Sequence, residues 1–472
     1  MNNFTLHIHN FERVIYMRKL ILLSLFTFFN GMLQAQDTLE INLNQFLELS
    51  LNNAGQLKLA NTEIKLAENR KKAAKDLRFL PSLNFRSEHG LVPGVTSPGD
   101  FPNDRIYLDP DATNDWSKAG VFTRLRISGV QPVFTWGAVG KAIEAAELGV
   151  KAVQHKSDIE KNELELRLTE LYYSYVFALE IERLLNDADE KIGEIERAMR
   201  RQEKENATEL DESDVFKFKV FKAQFGIQKE EVFRNLEFVA QTWKYALRNE
   251  KDTIYEPKTR FLDPLFSTLS EVELYQNSAT TNRPEIKAIC FSRDALKMYI
   301  NSLRAQNKPG LYLGFTTTFA STPIRPRQPN PFISTPENTF NTSIGFTIRQ
   351  NLNFFQVKTS LQRSRLEVNK LQHIEDAARD GIMIEVNDSY RVAAISKVKV
   401  ERTEEALKIA KEWLRAEQLD FDLGFGDSKD LIDAVRQELE LRLEVKQSIF
   451  EFNQSMLKLN KSAGLPLRNQ SF

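Results

Sequence analysis

One architecture is written twice along this chain, and a duplication of that length constrains the fold before any single residue does. In the first copy Asn53-Ala54-Gly55-Gln56-Leu57-Lys58 leads a helical pattern to Leu80-Pro81-Ser82-Leu83. In the second, Asn282-Arg283-Pro284-Glu285-Ile286-Lys287 leads to Lys308-Pro309-Gly310-Leu311. Asn53 and Asn282 stand about 229 positions apart and the two prolines 228, so the copies match with one small gap. Each copy then passes through two alternating segments into a helix of nearly seventy residues that turns back on itself. Two strands and two very long helices per copy suit a membrane-anchored tube better than a globular domain.

Met17-Arg18-Lys19, the apolar run Leu20 to Phe29 and Leu33-Gln34-Ala35 form the basic, hydrophobic and small-residue sections of a secretory signal peptide. Met17 is therefore the expected start, and residues 1–35 are set aside as upstream residues and signal. The rest divides into a first repeat at 36–250, a connector at 251–281 packed on the helical wall, and a second repeat at 282–472. With 64 basic and 65 acidic residues the chain lacks the basic excess that nucleic acid requires, and no nucleic-acid partner is expected. Beyond residue 35 there is no run of the ~18 apolar residues that a membrane helix needs. Any membrane insertion must then use a closed β-barrel. Cys290, the single cysteine, cannot form an intrachain disulfide and is expected to be a buried small hydrophobe.

Residues 42 to 79 carry an amphipathic helical pattern that Pro81 ends. Leu83 to His89 then alternates apolar with polar, and after a Pro-, Gly- and Asp-rich loop at 91–117 comes a second alternating run. There Val121, Thr123, Leu125 and Ile127 share one face, and Arg124, Arg126 and Ser128 the other. In copy two, Leu311, Leu313, Phe315, Thr317 and Phe319 alternate with Tyr312, Gly314, Thr316 and Thr318. After a proline-rich loop at 323–337, Phe340, Thr342, Ile344, Phe346 and Ile348 alternate with Asn341, Ser343, Gly345, Thr347 and Arg349. Apolar-out, polar-in strands of about 9–11 residues are the pattern of a barrel wall in a bilayer. Four strands cannot close one, since the smallest closed barrels have about eight. Either two or three chains share a barrel, of eight or twelve strands, or the strands form a small soluble layer.

From about Gly137 to Glu205 there is no proline. Leu164, Leu168, Leu171, Tyr175 and Ala178, then Ile181, Leu185, Ala188, Ile192, Ile195 and Met199, follow a coiled-coil rhythm with one phase shift. In copy two Val386, Ala393, Val400, Leu407 and Leu414 recur every seven residues, with the small Ser389, Ser396, Thr403 and Ala410 between them. Returning helices are expected at 213–250 and 428–462, the latter with Leu441, Val445, Ser448, Phe452, Ser455 and Leu459 on its seam. About 68 residues span roughly 100 Å, far more than a domain core requires. Small seam residues allow close approach and suit a wall of paired helices rather than a solid bundle.

No phosphate loop, metal-spaced His/Cys cluster or nucleophile elbow is present, so no catalysis, cofactor or metal is expected. The five histidines (His7, His9, His89, His155, His373) are scattered. The helical turns carry the candidate chemistry. The second brings Asp420, Asp422, Asp427, Asp430 and Asp433 together around Leu423-Gly424-Phe425-Gly426, with Gly424 and Gly426 free to reverse the chain and Ser428 able to cap the next helix. The first carries Glu203, Glu205, Glu209, Asp211, Glu212 and Asp214. These are either plain solvated turns or, repeated by symmetry, an acidic ring at the end of a tube that would favour cations.

The whole mature sequence resembles the TolC-type outer-membrane efflux protein family. Leu423-Gly424-Phe425 followed by Asp430-Leu431-Ile432-Asp433-Ala434 is similar to that family's second turn. Asn53 to Lys58 and Arg283 to Lys287 look like its NPELK and RPELK openings, Leu80 to Leu83 like its LPSL strand entry, and Gln131-Pro132-Val133-Phe134 like its QPLF exit. The resemblance implies a mainly α chain with a membrane β-barrel portion. In it a two-repeat, long coiled-coil helical tunnel stands in the periplasm, and four β-strands per chain build a homotrimeric, 12-stranded barrel in outer-membrane lipid. It further implies an exit duct for an efflux pump or type I secretion system, docked to a periplasmic adaptor (membrane fusion) protein and an inner-membrane transporter. Asp430 and Asp433 match the family's acidic entrance and Leu423 to Gly426 its adaptor-facing turn. Asn351-Leu352-Asn353-Phe354-Phe355 departs from the usual second strand exit, and the first turn lacks glycine. The alternative is a structural or adhesive outer-membrane protein of the same build without transport.

Overall fold

Each repeat unrolls as a short strand, two short helices, two sheet strands, and a long helix with its return. A computed structural model describes residues 38–96, 111–205, 212–248, 254–325, 337–423 and 428–467. The expected signal segment 1–35 lies outside them. Copy one contains β1 (Thr38–Ile41), α1 (Leu43–Asn53), α2 (Gly55–Asp76), β2 (Ser82–Thr96), β3 (Thr113–Phe134), α3 (Ala138–Glu205) and α4 (Glu212–Leu247). Copy two, which in the structure begins inside the expected connector, contains β4 (Ile254–Pro257), α5 (Val272–Asn282), α6 (Pro284–Gln306), β5 (Gly310–Ser321), β6 (Thr339–Arg349), α7 (Phe354–Asp422) and α8 (Ser428–Ser462). The long helices have 68 and 69 residues and their returns 36 and 35, so the duplication extends to helix length.

Three expectations are corrected. The helical pattern at 42–79 is two helices, broken at Ala54, whose backbone is extended; Arg283, the matching residue of copy two, has nearly the same dihedrals. Pro284 excludes the helical conformation at Arg283, and Gly55 weakens the helix at the corresponding step. The first two sheet strands outrun the alternating runs at 83–89 and 121–128. Residues 91–96 and 113–117, read as loop, belong to them, and 97–110 lie outside the described residues. The strands absorb Pro93 because the register shifts between Val92 and Gly94, a bulge that needs no ladder hydrogen bond from proline. Cys290 is half-buried rather than buried, and its thiol is pushed up by burial and then by the charge of Glu375. The short strands β1 and β4 went unread; they pair in parallel, joining the starts of the two repeats.

The chain forms two compact units, each assembled from both repeats. One comprises residues up to Ala54, Leu164–Leu269 and Val392–Leu457. Within it Phe46 stacks on Trp243 at 4.1 Å, with Tyr172 and Tyr175 against the same indole. Residues 254–269 pack on the long helices: Glu180 accepts the Leu262 amide at 2.6 Å and pairs with Lys446, while Asn453 holds Leu265 and Asp263. The α3 seam is buried from Leu168 to Met199 at most of its expected positions. Thr403 on α7 and Ser448 on α8 share a buried hydrogen bond of 2.9 Å, so the small residues of this seam also satisfy one another.

The other unit comprises Gly55–Glu163, Ser270–Arg391 and residues from Lys458 on. It holds an antiparallel sheet in the order β2-β3-β5-β6. Phe340, Ile344, Phe346 and Ile348 of edge strand β6 are each at least 70% exposed, so the apolar side of that strand stands uncovered. On that face the Phe315 ring lies so close over Gly129 that an added Cβ would meet it at 2.4 Å. Helices α2 and α6 accompany the sheet, and Arg293 on α6 pairs with the buried Glu375 on α7.

Arg283, 5% exposed, is the clasp of this unit. It donates to the Ser462 carbonyl at 3.0 Å at the end of α8 and pairs with Glu285 and Glu385 at 2.9 Å. Burial raises the Glu385 carboxyl, but the hydrogen bond from Arg283 and the charges of Arg283 and Lys461 outweigh it and hold the pKa below 4.5. A carboxylate lowered on folding contributes stability above its unfolded pKa and loses it as pH falls through the folded one. Arg283→Ala is expected to cost about 3 kcal/mol, the low end for breaking a buried pair because its partners keep some solvent. The check is thermal melting of the detergent-solubilised protein. The same melts should fall on acidification below about pH 4.5, and Glu385→Gln, less stable at neutral pH, should fall less.

Candidate functional site

The second helical turn is built by the burial of its neighbours. Leu431, Ile432 and Ala434 of α8 are buried. Ile432 joins Ile181, Leu185 and Ile192 of α3 and Phe218, Phe221 and Phe225 of α4 in one apolar cluster. With that face of α8 committed to the core, Asp430 and Asp433, three residues apart and hence neighbours on a helix, are left together on the solvent side. Asp430 lies in the first turn, where the helix dipole favours it.

The same account fails for the end of α7. Asp420 is exposed in its last turn, Asp422 is its final residue, and no basic residue shares that turn. Carboxylates at a helix C-terminus face the negative end of the dipole. Leu419 and Leu423 are exposed beside them. Gly424, Phe425, Gly426 and Asp427 lie outside the described residues, as does the side chain of Asp422.

In the first hairpin, Glu209 and Asp211 lie outside the described residues, together with the side chains of Glu203, Glu205, Glu212 and Asp214. Glu196, nearest of the described acids, is tied to Lys222 at 2.6 Å and Arg200 at 2.7 Å, bonds that draw its pKa down. The structure therefore brings Asp430 and Asp433 together and places Asp420 on the facing helix end.

A cavity of about 460 Å³ between α3, α7 and α8 went unread in the sequence. Ile192, Leu414, Leu431 and Leu439 supply its apolar wall, and Lys191, Arg197, Arg201 and Arg442 its basic rim, partly offset by Glu194 and Glu438. Arg442 pairs with the buried Glu438. The basic residues of α3 were legible only as a solvated helix face, because the apolar partners come from some 220 residues later.

No family model matches the chain, and no curated protein matches its sequence. Solved structures do match. The outer-membrane channel OprN aligns over 90% of each chain with a TM-score of 0.68 at 14% identity. The CmeC outer membrane channel of Campylobacter jejuni aligns over 90% of this chain and 85% of its own, with a TM-score of 0.67 at 15% identity. The open state of the MtrE outer membrane channel of Neisseria gonorrhoeae aligns over 91% of each, with a TM-score of 0.69 at 14% identity. The fold is thus the barrel-and-tunnel chain fold of these channels.

The tip aspartates are expected to be dispensable for folding and the residues between them not. Asp430→Asn with Asp433→Asn should leave the melting temperature unchanged. Ile432→Ala should cost about 2–4 kcal/mol through the cavity it opens, seen as faster amide exchange at the start of α8.

Proposed function

We propose that this chain is the outer-membrane exit duct of a tripartite efflux pump or type I secretion system. Three copies close a twelve-stranded barrel in the outer membrane, and their helices line a passage through the periplasm. Transport is passive within the duct and is driven by an inner-membrane transporter through a periplasmic adaptor. The acidic residues Asp420, Asp422, Asp427, Asp430 and Asp433, with Glu209, Asp211 and Asp214, ring the periplasmic entrance, and Leu423 to Gly426 face the adaptor.

The observation that carries this reading is the sheet. Its four strands leave β2 and β6 with unpaired edges, and one face exposes Phe85, Phe340, Ile344, Phe346 and Ile348 around a few hydrogen-bonded hydroxyls. Open edges are not tolerated in lipid, and three copies joined edge to edge remove all of them. The likeness of fold to outer-membrane channels along nine-tenths of the chain supports the same conclusion. No enzymatic role is proposed.

Light scattering of the protein extracted from outer-membrane fractions, corrected for detergent, should give the mass of three chains. In planar bilayers the trimer should conduct, with a conductance lowered by millimolar divalent cations. Asp430→Ala with Asp433→Ala should weaken that block severalfold. A monomer in the soluble periplasmic fraction would overturn the barrel. A trimer that never conducts, even with both aspartates removed, would favour a structural protein.

A further inference from the structure

We propose that the polar face of the strand sheet is an electropositive belt that concentrates anionic solutes inside the barrel and so biases the duct toward substrates bearing carboxylate, phosphate or sulfonate groups. This rests on the reading of the sheet as a barrel wall.

The belt follows from register. Across β2 and β3, Arg86 stands opposite Arg126 and Glu88 opposite Arg124. Through β3, β5 and β6 the same row continues as Arg126, Thr318 and Asn341, and as Ser128, Thr316 and Ser343. The opposite face carries Phe85, Ile127, Phe315 and Ile344. Within the spans paired on the near side of the Val92/Gly94 register shift (82–92, 120–134, 310–321 and 339–349), the ionised side chains are Arg86, Arg124, Arg126, Arg349 and Glu88, and alternation puts all five on the polar face. Their net formal charge is three positive per chain.

Stability does not account for this arrangement. Like charges directly opposite on neighbouring strands are destabilising, and Arg86 faces Arg126. Glu88 reaches Arg86 and Arg124, each at 3.6 Å. Two residues of ordinary barrel-lining type, serine or threonine, would remove the conflict. Arg86 and Arg126 are instead exposed to the space in front of the sheet, with the hydroxyls of Thr316, Thr318 and Ser343 along the same rows. Guanidinium groups over a hydroxyl-lined wall offer planar, charge-assisted donors to oxyanions. A low-dielectric barrel wall focuses their field.

The test uses charged thiol reagents on the whole protein in lipid vesicles. In a Cys290→Ser background, Thr318→Cys places one thiol opposite Arg126, and its modification by an anionic and by a cationic methanethiosulfonate is timed. Taking the ratio of the two rates cancels any effect of the arginines on the thiol itself. The anionic reagent should react about tenfold faster at low salt, the lower end for a like-charged cleft, and the preference should shrink at high salt. Arg86→Gln with Arg126→Gln should bring the ratio toward one, and Glu88→Gln should raise it. Should the double variant fail to assemble, Glu88→Gln and the salt series still decide. Equal rates for both reagents, unmoved by salt and by Glu88→Gln, would overturn the belt while leaving the duct intact. A thiol that neither reagent reaches would overturn the water-lined barrel on which the belt depends.

Discussion

A helix nearly twice as long as its return must find a second partner for the half left uncovered. At 1.5 Å per residue α3 and α7 each extend about 100 Å, whereas α4 and α8 cover only about 54 Å. An isolated helix of such length gains little from propensity and depends on burial of its apolar stripe. The short helices α2 and α6 supply the missing cover, which is why every long helix is divided between the two compact units. The division falls near Leu164 in α3 and near Val392 in α7, offset by 228 positions as the duplication requires. The repeat is therefore a unit of sequence and not of packing: neither copy could bury its long helix using only one of the two units.

The changeover between partners is where the polar clasps stand. In copy two the end of α8 meets the start of α6, and Arg283 fills the orphan carbonyls of Lys461 and Ser462 that a helix C-terminus leaves unbonded. In copy one the corresponding duty falls to Asn53, whose amide donates to the Leu247 carbonyl at the end of α4 at 3.3 Å. A neutral amide in one copy and a buried guanidinium with two carboxylates in the other solve the same backbone problem at different electrostatic cost. Gly464 follows α8 with a positive φ and leaves only 3.1 Å between an added Cβ and Asn282, so the clasp also explains why the chain there is tight.

The parts legible in sequence are those set by periodicity. Period two placed all four sheet strands and their faces, and the 4-3 rhythm placed the first long helix and both returns to within about three residues. The unread parts depend on partners distant in sequence. β1 and β4 are four residues each and exist only by pairing across more than two hundred positions, too short for any alternation to register. The ends of β2 and β3 were hidden because Pro93, Gly94 and Asp115 read as loop until a bulge accommodates them. At the candidate site, Asp430 and Asp433 were legible as a pair because their spacing fixes a helix face. The basic cavity beside them was not, since three helices from both repeats build it.

Charge is distributed along this fold in opposite senses. On the tip helices the exposed Asp420, Asp430 and Asp433 make one end acidic, while the polar face of the sheet, in the other unit, carries four arginines to one glutamate. The two are not redundant. Each set of charges is fixed by its own element: the aspartates by the helix face that burial of Leu431, Ile432 and Ala434 leaves to solvent, the arginines by strand register. A field in salt water fades over about 8–10 Å, so each set acts on what is close to it.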